Sequence, residues 1–282
     1  MSGEIASEVM RRHARSFSWA ARLLPSDVRA DAATLYAWCR RCDDAVDEAP
    51  DAATAQAALG RLREELDEIY GERPPADPSL AGMHELVRRR ALPRGPAAEL
   101  LEGMAMDLGR VRYETFKDLL IYCHRVAGTV GLLMAHVMGV RDAVALRRAD
   151  DLGIAMQLTN ICRDVAEDER RDRVYLPVDL LGGDLLPSQA GHRTPAAVAS
   201  LLVRADVFYR SGDAGLRALP TACAGAIRAA RLIYSDIGRV LARRGFDVWA
   251  GRAVVSPARK LWLATRAILE TAAARLLPRG QT

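Results

Sequence analysis

The chain has 282 residues, a formal net charge of +4 at pH 7 and a hydrophobic content of 50%. That length provides ample material for a core, and no stretch is long, polar and Pro/Gly-rich enough to be a clear linker, so residues 1–282 are predicted to form one domain. Only 5% of the residues are aromatic, and Ala, Leu and Arg dominate, which predicts an all-α fold. The modest positive charge comes with no nucleic-acid-binding motif, so we expect no nucleic-acid partner.

The five cysteines give no sign of metal or redox chemistry. Cys39 and Cys42 form a CxxC, but both fall on the buried face of a predicted helix and no second CxxC follows, so reduced thiols are expected. The first residues lack the pattern of a secretory signal, and the most apolar stretch, residues 126–140, is too short to span a bilayer. We therefore expect a cytoplasmic protein, with peripheral contact at a membrane left open.

Helical periodicity covers most of the chain. The predicted helices, in chain order, span about 7–24, 26–50, 52–70, 78–90, 96–110, 116–139, 142–168, 196–219, 222–244 and 257–277. Ser26 is the expected N-cap of the second of them, and Gly128 and Gly131 punctuate the sixth, where small residues let a backbone or a bulky ligand approach closely. Residues 179–195 are expected to form an irregular loop that acts as a lid.

The helix after Ser26 carries a pair of carboxylates beside its core stripe. Tyr36, Arg40, Asp43 and Asp47 follow each other at steps of four, three and four, displaced by one residue from the apolar positions. Two carboxylates at i and i+4 lie about 6 Å apart and repel by roughly 3 kcal/mol at an effective dielectric near 20. A cation between them is one interpretation, with Mg²⁺ the natural candidate, and a solvated helix face is the other.

The helix that begins near Asp142 carries a second polar stripe. Gly153, Gln157, Asn160, Asp164 and Asp168 share one face, next to an apolar stripe. Burying such a stripe without compensation is costly. Two such helices, distant in sequence, can face each other across a bundle cavity, where four converging carboxylates suit Mg²⁺ ions and a diphosphate.

Five motifs, in order, resemble those of the squalene/phytoene synthase family. They are Ser16-Phe17-Ser18, Asp43-x-x-x-Asp47, the run from Tyr122 to Gly131, the run from Asn160 through Asp168 to Arg173-Val174-Tyr175-Leu176-Pro177, and Tyr234-Ser235-Asp236-Ile237. The matches extend from about residue 12 to residue 260. This resemblance implies an isoprenoid-synthase-type helical bundle with a central cavity. One departure is Asp172, which stands where a glycine usually precedes the Arg-x-Tyr-Leu-Pro run.

The resemblance also implies a role for individual residues. Together with the two polar stripes, it indicates metal ligation by Asp43, Asp47, Asn160, Asp164 and Asp168. The implied catalytic residues are Arg40, Tyr122, Arg163 and Tyr234. The implied substrate-binding residues are Ser16, Ser18, Arg40, Tyr122, Val126, Gly131, Gln157, Asn160, Arg163, Tyr175, Arg252 and Lys260. Of these, Tyr122, Val126 and Gly131 would form walls of a tunnel for the prenyl chain.

The activity that the resemblance implies is head-to-head condensation of two identical prenyl diphosphates, through a cyclopropyl-carbinyl diphosphate. We favour two geranylgeranyl diphosphates and proton loss to phytoene in carotenoid biosynthesis, with Mg²⁺ (or Mn²⁺) and without NADPH, because no Rossmann fingerprint is present. Leu23 and Ala33, near the expected end of the tunnel, agree with the longer substrate. A C30 member that uses farnesyl diphosphate to form squalene, dehydrosqualene or presqualene diphosphate stays open, as does a non-catalytic assembly factor, although relatives of that kind lose the aspartates. A di-iron bundle would require Glu-x-x-His pairs, which the histidines do not make.

Overall fold

The computed structural model describes residues 20–276, which are helical for most of their length. The helices are α1 Ser26–Asp47, α2 Ala52–Tyr70, α3 Pro78–Arg90, α4 Arg94–Ala105, α5 Phe116–Cys123, α6 Thr129–Val137, α7 Ala143–Glu169, α8 Val178–Leu181, α9 Arg193–Gly215, α10 Thr221–Arg243 and α11 Pro257–Leu276. Within residues 20–276 no strand forms, and a single isolated bridge joins Val111 to Arg173. The all-α prediction is confirmed.

Helix α7 is the centre of the bundle, because it packs against α6, α9 and α10. Two clusters of buried apolar side chains meet along it. One is built mainly by α1 to α4 and α6, and the other mainly by α7, α9, α10 and α11. The space between the two clusters is the cavity described below.

The boundaries of α1 show where local prediction fails. Its apolar stripe is buried as expected, with Leu35 and Cys42 fully inaccessible. Ser26 is not the N-cap: Pro25 occupies that position, no side chain caps the helix, and Ser26 is the first helical residue. The fixed φ of proline prepares the chain for the first turn, but its side chain offers no acceptor to the N–H groups of that turn.

The central helix differs from the regular α-helix predicted over residues 116–139. It runs from Phe116 to Val137, but residues 124–128 form a π-helical turn between α5 and α6. Gly131 and Gly153 explain why small residues stand here. A Cβ on Gly131 would lie 2.4 Å from the Ala149 carbonyl oxygen, and one on Gly153 would lie 2.3 Å from the Ala127 carbonyl oxygen. The two backbones therefore cross in direct contact.

By length and composition, Phe116–Val137 is also the one helix within residues 20–276 that would be able to cross a membrane. Only 44% of its most apolar stretch of 18 residues is buried inside the bundle. The helix is nevertheless enclosed by α4 and α7, and much of the remainder faces the cavity. We interpret it as a core helix of the bundle.

Other predicted boundaries were wrong by a few residues. The helix expected over 96–110 starts at Arg94 and ends at Ala105. The segment predicted as a loop over 179–195 contains the short helix α8 and the first residues of α9, where the buried Thr194 hydroxyl donates to the Pro187 carbonyl 2.7 Å away. Such tertiary hydrogen bonds are invisible to local sequence patterns.

Candidate active site

A cavity of about 800 Å³ lies at the centre of the bundle. Along α7, lining positions recur at steps of three and four from Ala145 to Arg163, which corresponds to about 27 Å of helix. The C-terminal part of this row is polar, with Gln157, Asn160 and Arg163, whereas the N-terminal part is mostly apolar. The other lining residues that the sequence singled out are Arg40, Val126, Gly131, Tyr234, Arg252 and Lys260. The cavity thus has a charged end and an apolar end.

Arg40, which lines the charged end, connects that end to the carboxylates of α1. Arg40 pairs with Asp43, with its guanidinium nitrogen 3.0 Å from the carboxylate, and also with Asp44. Burial raises the pKa of Asp43 to about 6, and the nearby Asp47 carboxylate adds to that rise. Asp47 is paired with Arg173, 2.7 Å away. One carboxylate of the pair is therefore compensated by a distant arginine, and the other only in part.

The carboxylates of α7 show the same division. Asp164 accepts hydrogen bonds from two arginines, Arg163 at 2.8 Å and Arg252 at 3.0 Å. Asp168 has no ion-pair partner within residues 20–276. Burial raises its pKa to about 7, and repulsion from Asp164 contributes to that rise. The charges of Arg173 and Arg171 oppose this rise but do not cancel it.

Arg173 connects the two aspartate helices. Its guanidinium binds Asp47 on α1, and its backbone N–H donates to the Asp168 carbonyl at the end of α7, 3.0 Å away. The turn between them is made possible by Asp172, which takes the left-handed conformation with φ of 58°. Aspartate tolerates this region better than most residues, which explains how it replaces the usual glycine.

A buried carboxylate that the sequence reasoning missed lies next to this connection. Asp107 accepts a hydrogen bond from the Tyr175 hydroxyl at 2.8 Å and another from the Tyr122 hydroxyl at 2.9 Å. The two tyrosine rings stack with centroids 5.0 Å apart. Burial raises the pKa of Asp107 to about 6, although the two hydroxyl donors oppose that rise. Asp107 has no carboxylate partner one helical turn away, so the pattern that revealed the other four could not reveal it.

Not every predicted residue reaches the cavity: Asp43, Asp47, Asp164 and Asp168 are absent from its lining, although arginines that line it pair with Asp43 and Asp164. Tyr122 and Tyr175 are 4% and 7% exposed and lie outside its lining, in the network around Asp107. Leu23 and Ala33 are also absent from the lining, where the α1 residues Leu35 and Tyr36 are found instead. Ser16 and Ser18 lie outside the residues that the structure describes.

The donor set at the charged end fits a hard divalent ion shared with a ligand. Within residues 20–276, no three His, Cys, Asp or Glu side chains lie close enough together to hold an ion by themselves. However, the Asn160 side-chain oxygen is buried at this end without a hydrogen-bond partner, and Asp43 and Asp168 lack full compensation. Mg²⁺ commonly takes one or two carboxylates and completes its shell with water and phosphate oxygens.

Comparison with known proteins decides the family. Residues 10–259 match the model of the squalene/phytoene synthase family. The chain belongs to the squalene/phytoene synthase family. Among curated members, the phytoene synthase of Cereibacter sphaeroides is 43% identical over 93% of this chain and 79% of its own length. The 15-cis-phytoene synthase of a Paracoccus species is 40% identical over 92% of this chain and 88% of its own.

Solved structures of the squalene/phytoene synthase family have the same fold. A dehydrosqualene synthase crystallised with a ligand superposes with a TM-score of 0.88, at 26% identity, over 96% of this chain and 97% of its own. The squalene synthase HpnC from Alicyclobacillus acidocaldarius gives a TM-score of 0.79 at 26% identity, over 87% and 94% of the two chains. The family match includes both aspartate motifs but ends at residue 259, so it leaves out Lys260 and nearly all of α11.

Proposed function

We propose that this member of the squalene/phytoene synthase family is a prenyltransferase that joins two molecules of geranylgeranyl diphosphate head to head and forms phytoene. The observation that carries the proposal is the two-ended cavity. Arg40, Arg163 and Arg252 line one end and pair with the carboxylates of Asp43 and Asp164, and an apolar chamber extends from that end along α7. A molecule with a diphosphate head and a long hydrocarbon tail is complementary to both ends.

The names of the relatives favour phytoene over a C30 product. Curated proteins that are 38% to 43% identical over most of the chain are phytoene synthases. The dehydrosqualene and squalene synthases with known structures are only 26% identical. A non-catalytic role is disfavoured because all four aspartates are present, and the arginines that line one end of the cavity pair with Asp43 and Asp164.

We also propose that Asp43, Asp47, Asp164 and Asp168, with the Asn160 oxygen, hold Mg²⁺ together with the diphosphate. When bound, Mg²⁺ would neutralise the diphosphate and make it a better leaving group. The protein's own arginines have a second task. Arg40, Arg163 and Arg252 are paired with these same aspartates, so they lie within reach of an arriving diphosphate, whose oxygens they can bind in a bidentate manner.

The apolar chamber protects what is left after the diphosphate departs. Loss of diphosphate generates an allylic cation that water would quench, so its surroundings must be dry. Val126, Val130 and Met134 line this part of the cavity, and their side chains offer water no strong hydrogen bond. A cyclopropyl-carbinyl diphosphate would form here from two substrates, ionise again, rearrange and lose a proton to become the polyene.

The test is incubation of the purified protein with geranylgeranyl or farnesyl diphosphate, followed by mass analysis of the hydrocarbon. Phytoene is expected from geranylgeranyl diphosphate with Mg²⁺, equally with and without NADPH, and not in EDTA. Mn²⁺ is expected to restore activity after chelation. A C30 hydrocarbon as the main product, or turnover that persists in EDTA, would overturn the proposal.

A further inference from the structure

The last helix, α11, has an inverted distribution of charge. From Pro257 to Ala273, every exposed residue is uncharged, whereas the charged residues of this span are half-buried or buried. The exposed positions are Pro257, Ala258, Leu261, Trp262, Thr265, Ile268, Leu269, Ala272 and Ala273. They recur at steps of three and four and so form one face, which we call the outer face. A surface helix normally turns its charges toward water.

The outer face is large and is left uncovered by the described helices. Leu261 is 57% exposed, Trp262 50% and Leu269 65%. Helix α11 packs on α10 and makes no comparable contact with any other helix within residues 20–276. Its charged side chains reach toward the bundle, since Arg259 pairs with Asp236 and Glu270 with Arg228, both on α10. A contiguous apolar surface of this kind marks an interaction site.

The outer face continues into the cavity. Val254, in the loop that leads into α11, is 63% exposed and also lines the cavity. The neighbouring Val255 lines the cavity as well. Apolar surface therefore extends from the wall of the cavity to the outside of α11. On the proposed function, both the prenyl tails that enter and the hydrocarbon that leaves would follow such a route.

The charge around the outer face is strongly positive. The whole chain carries only +4, yet the stretch from Arg239 to Arg275 has just two acidic residues, Asp247 and Glu270. Trp262 lies at the edge of the apolar surface, with the guanidinium groups of Arg259 and Arg266 over its ring at 4.4 and 5.7 Å. Tryptophan between apolar and cationic groups is typical of a headgroup region. The basic residues of this stretch are Arg239, Arg243, Arg244, Arg252, Arg259, Lys260, Arg266 and Arg275.

We propose that the outer face of α11 docks this protein on an anionic lipid bilayer, with the cavity opening beside the membrane. Apolar insertion would bind the acyl region, and the exposed arginines of the same stretch, Arg239, Arg243, Arg244 and Arg275, would bind anionic headgroups. This inference rests on the proposed function for its purpose, but its binding test is independent of turnover.

The test is flotation of the full-length protein with vesicles of phosphatidylcholine alone, or of phosphatidylcholine mixed with phosphatidylglycerol. The wild-type protein is expected to float with the mixed vesicles, less with phosphatidylcholine, and less at high salt. Leu261→Glu and Leu269→Glu should each lower the bound fraction by about tenfold, because they place a charge in the buried interface. Val203→Glu is the matched control: Val203 is 70% exposed on α9, away from α11, and this variant should float like the wild type.

Turnover of detergent-dispersed geranylgeranyl diphosphate separates the two proposals. The variants are expected to keep wild-type turnover and helical circular dichroism while losing vesicle binding. Equal flotation of all variants overturns the docking proposal. So does a wild-type protein that binds neither vesicle. A dimer that Leu269→Glu dissociates would assign the face to a second copy instead. Absence of turnover alone would count against the enzyme assignment and not against docking.

Discussion

At the scale of single residues, the two carboxylate pairs differ in how their charge is balanced. Asp47 is paired with Arg173, and Asp164 is paired with Arg163 and Arg252. The pKa of Asp168 is about 7 because this carboxylate is buried without such a partner. Asp168 is therefore left with less compensation than Asp47 or Asp164. A site built to receive cations with an anionic substrate needs this imbalance.

Replacement of one metal-site aspartate tests this interpretation. Asp164→Asn should lower turnover by about a thousandfold or more. A neutral amide binds Mg²⁺ more weakly than a carboxylate does, and Mg²⁺ is needed to stabilise the departing diphosphate. Circular dichroism should be unchanged. Asp206→Asn is the matched control, since Asp206 is on α9 and pairs with Arg210 in an exposed position, so its activity should change less than about twofold. Wild-type turnover by Asp164→Asn would exclude the proposed site.

Asp107 supplies a prediction about pH. Its pKa is raised from 3.8 to about 6, so the folded protein binds a proton more tightly than the unfolded chain between these values. Stability contributed by this group is therefore lost as the pH rises from about 4 to about 6, by up to about 3 kcal/mol. Asp107→Asn removes this loss. The unfolding free energy of the variant minus that of the wild type should be larger at pH 7 than at pH 4.5, as measured by urea unfolding at both pH values. A constant difference would contradict the assignment.

At the scale of elements, the crossing of α7 with the central helix depends on glycine. The Cβ of an alanine at position 153 would meet the Ala127 carbonyl oxygen at 2.3 Å, and backbone cannot move aside as a flexible side chain can. The π-helical turn of residues 124–128 lies at this crossing. We attribute the irregularity of the central helix to the same close contact.

Gly153→Ala is expected to destabilise the protein by about 1–3 kcal/mol in urea unfolding, through overpacking. Gly225→Ala provides the comparison, because Gly225 lies in α10 and a Cβ added there would meet nothing within 4 Å. At that position alanine should stabilise the helix by about 0.5–1 kcal/mol. If both variants gained stability equally, helix propensity and not backbone contact would govern position 153.

At the scale of the whole molecule, the length of the cavity is set by helices from both apolar clusters. Ala145, near the N-terminal end of α7, lines the cavity about 27 Å of helix away from Arg163. The tail of a substrate whose diphosphate binds at the charged end would approach this residue. The expectation that Leu23 and Ala33 limit the tunnel is replaced by a position that sequence alone did not single out.

Ala145→Phe should therefore shift selectivity toward shorter chains. The ratio of kcat/KM for geranylgeranyl over farnesyl diphosphate is expected to fall by about tenfold, since the added ring occupies the space of the last isoprene units. Ala53→Phe, at an exposed position in the first turn of α2, should leave the ratio unchanged. An unchanged ratio in Ala145→Phe would place the end of the substrate elsewhere.

The sequence by itself determined the helical fold, the family and the two aspartate helices. The helices follow from local periodicity, and the family follows from the motifs and their order. Each carboxylate pair is one helical turn apart, so its geometry follows from the helix alone. That residues 1–282 form one domain stays a prediction, as do the roles of Ser16 and Ser18.

Only the tertiary structure decided which arginine compensates which aspartate, that Asp107 joins Tyr122 and Tyr175, and that the exposed face of α11 is apolar. Arg173 and Asp47 are 126 residues apart in the chain, and Asp107 and Tyr175 are 68 apart. Contacts at such separations leave no periodic trace, because they depend on how whole helices pack. Burial, which raises the pKa values at the site, is likewise a property of the packed bundle and not of any segment.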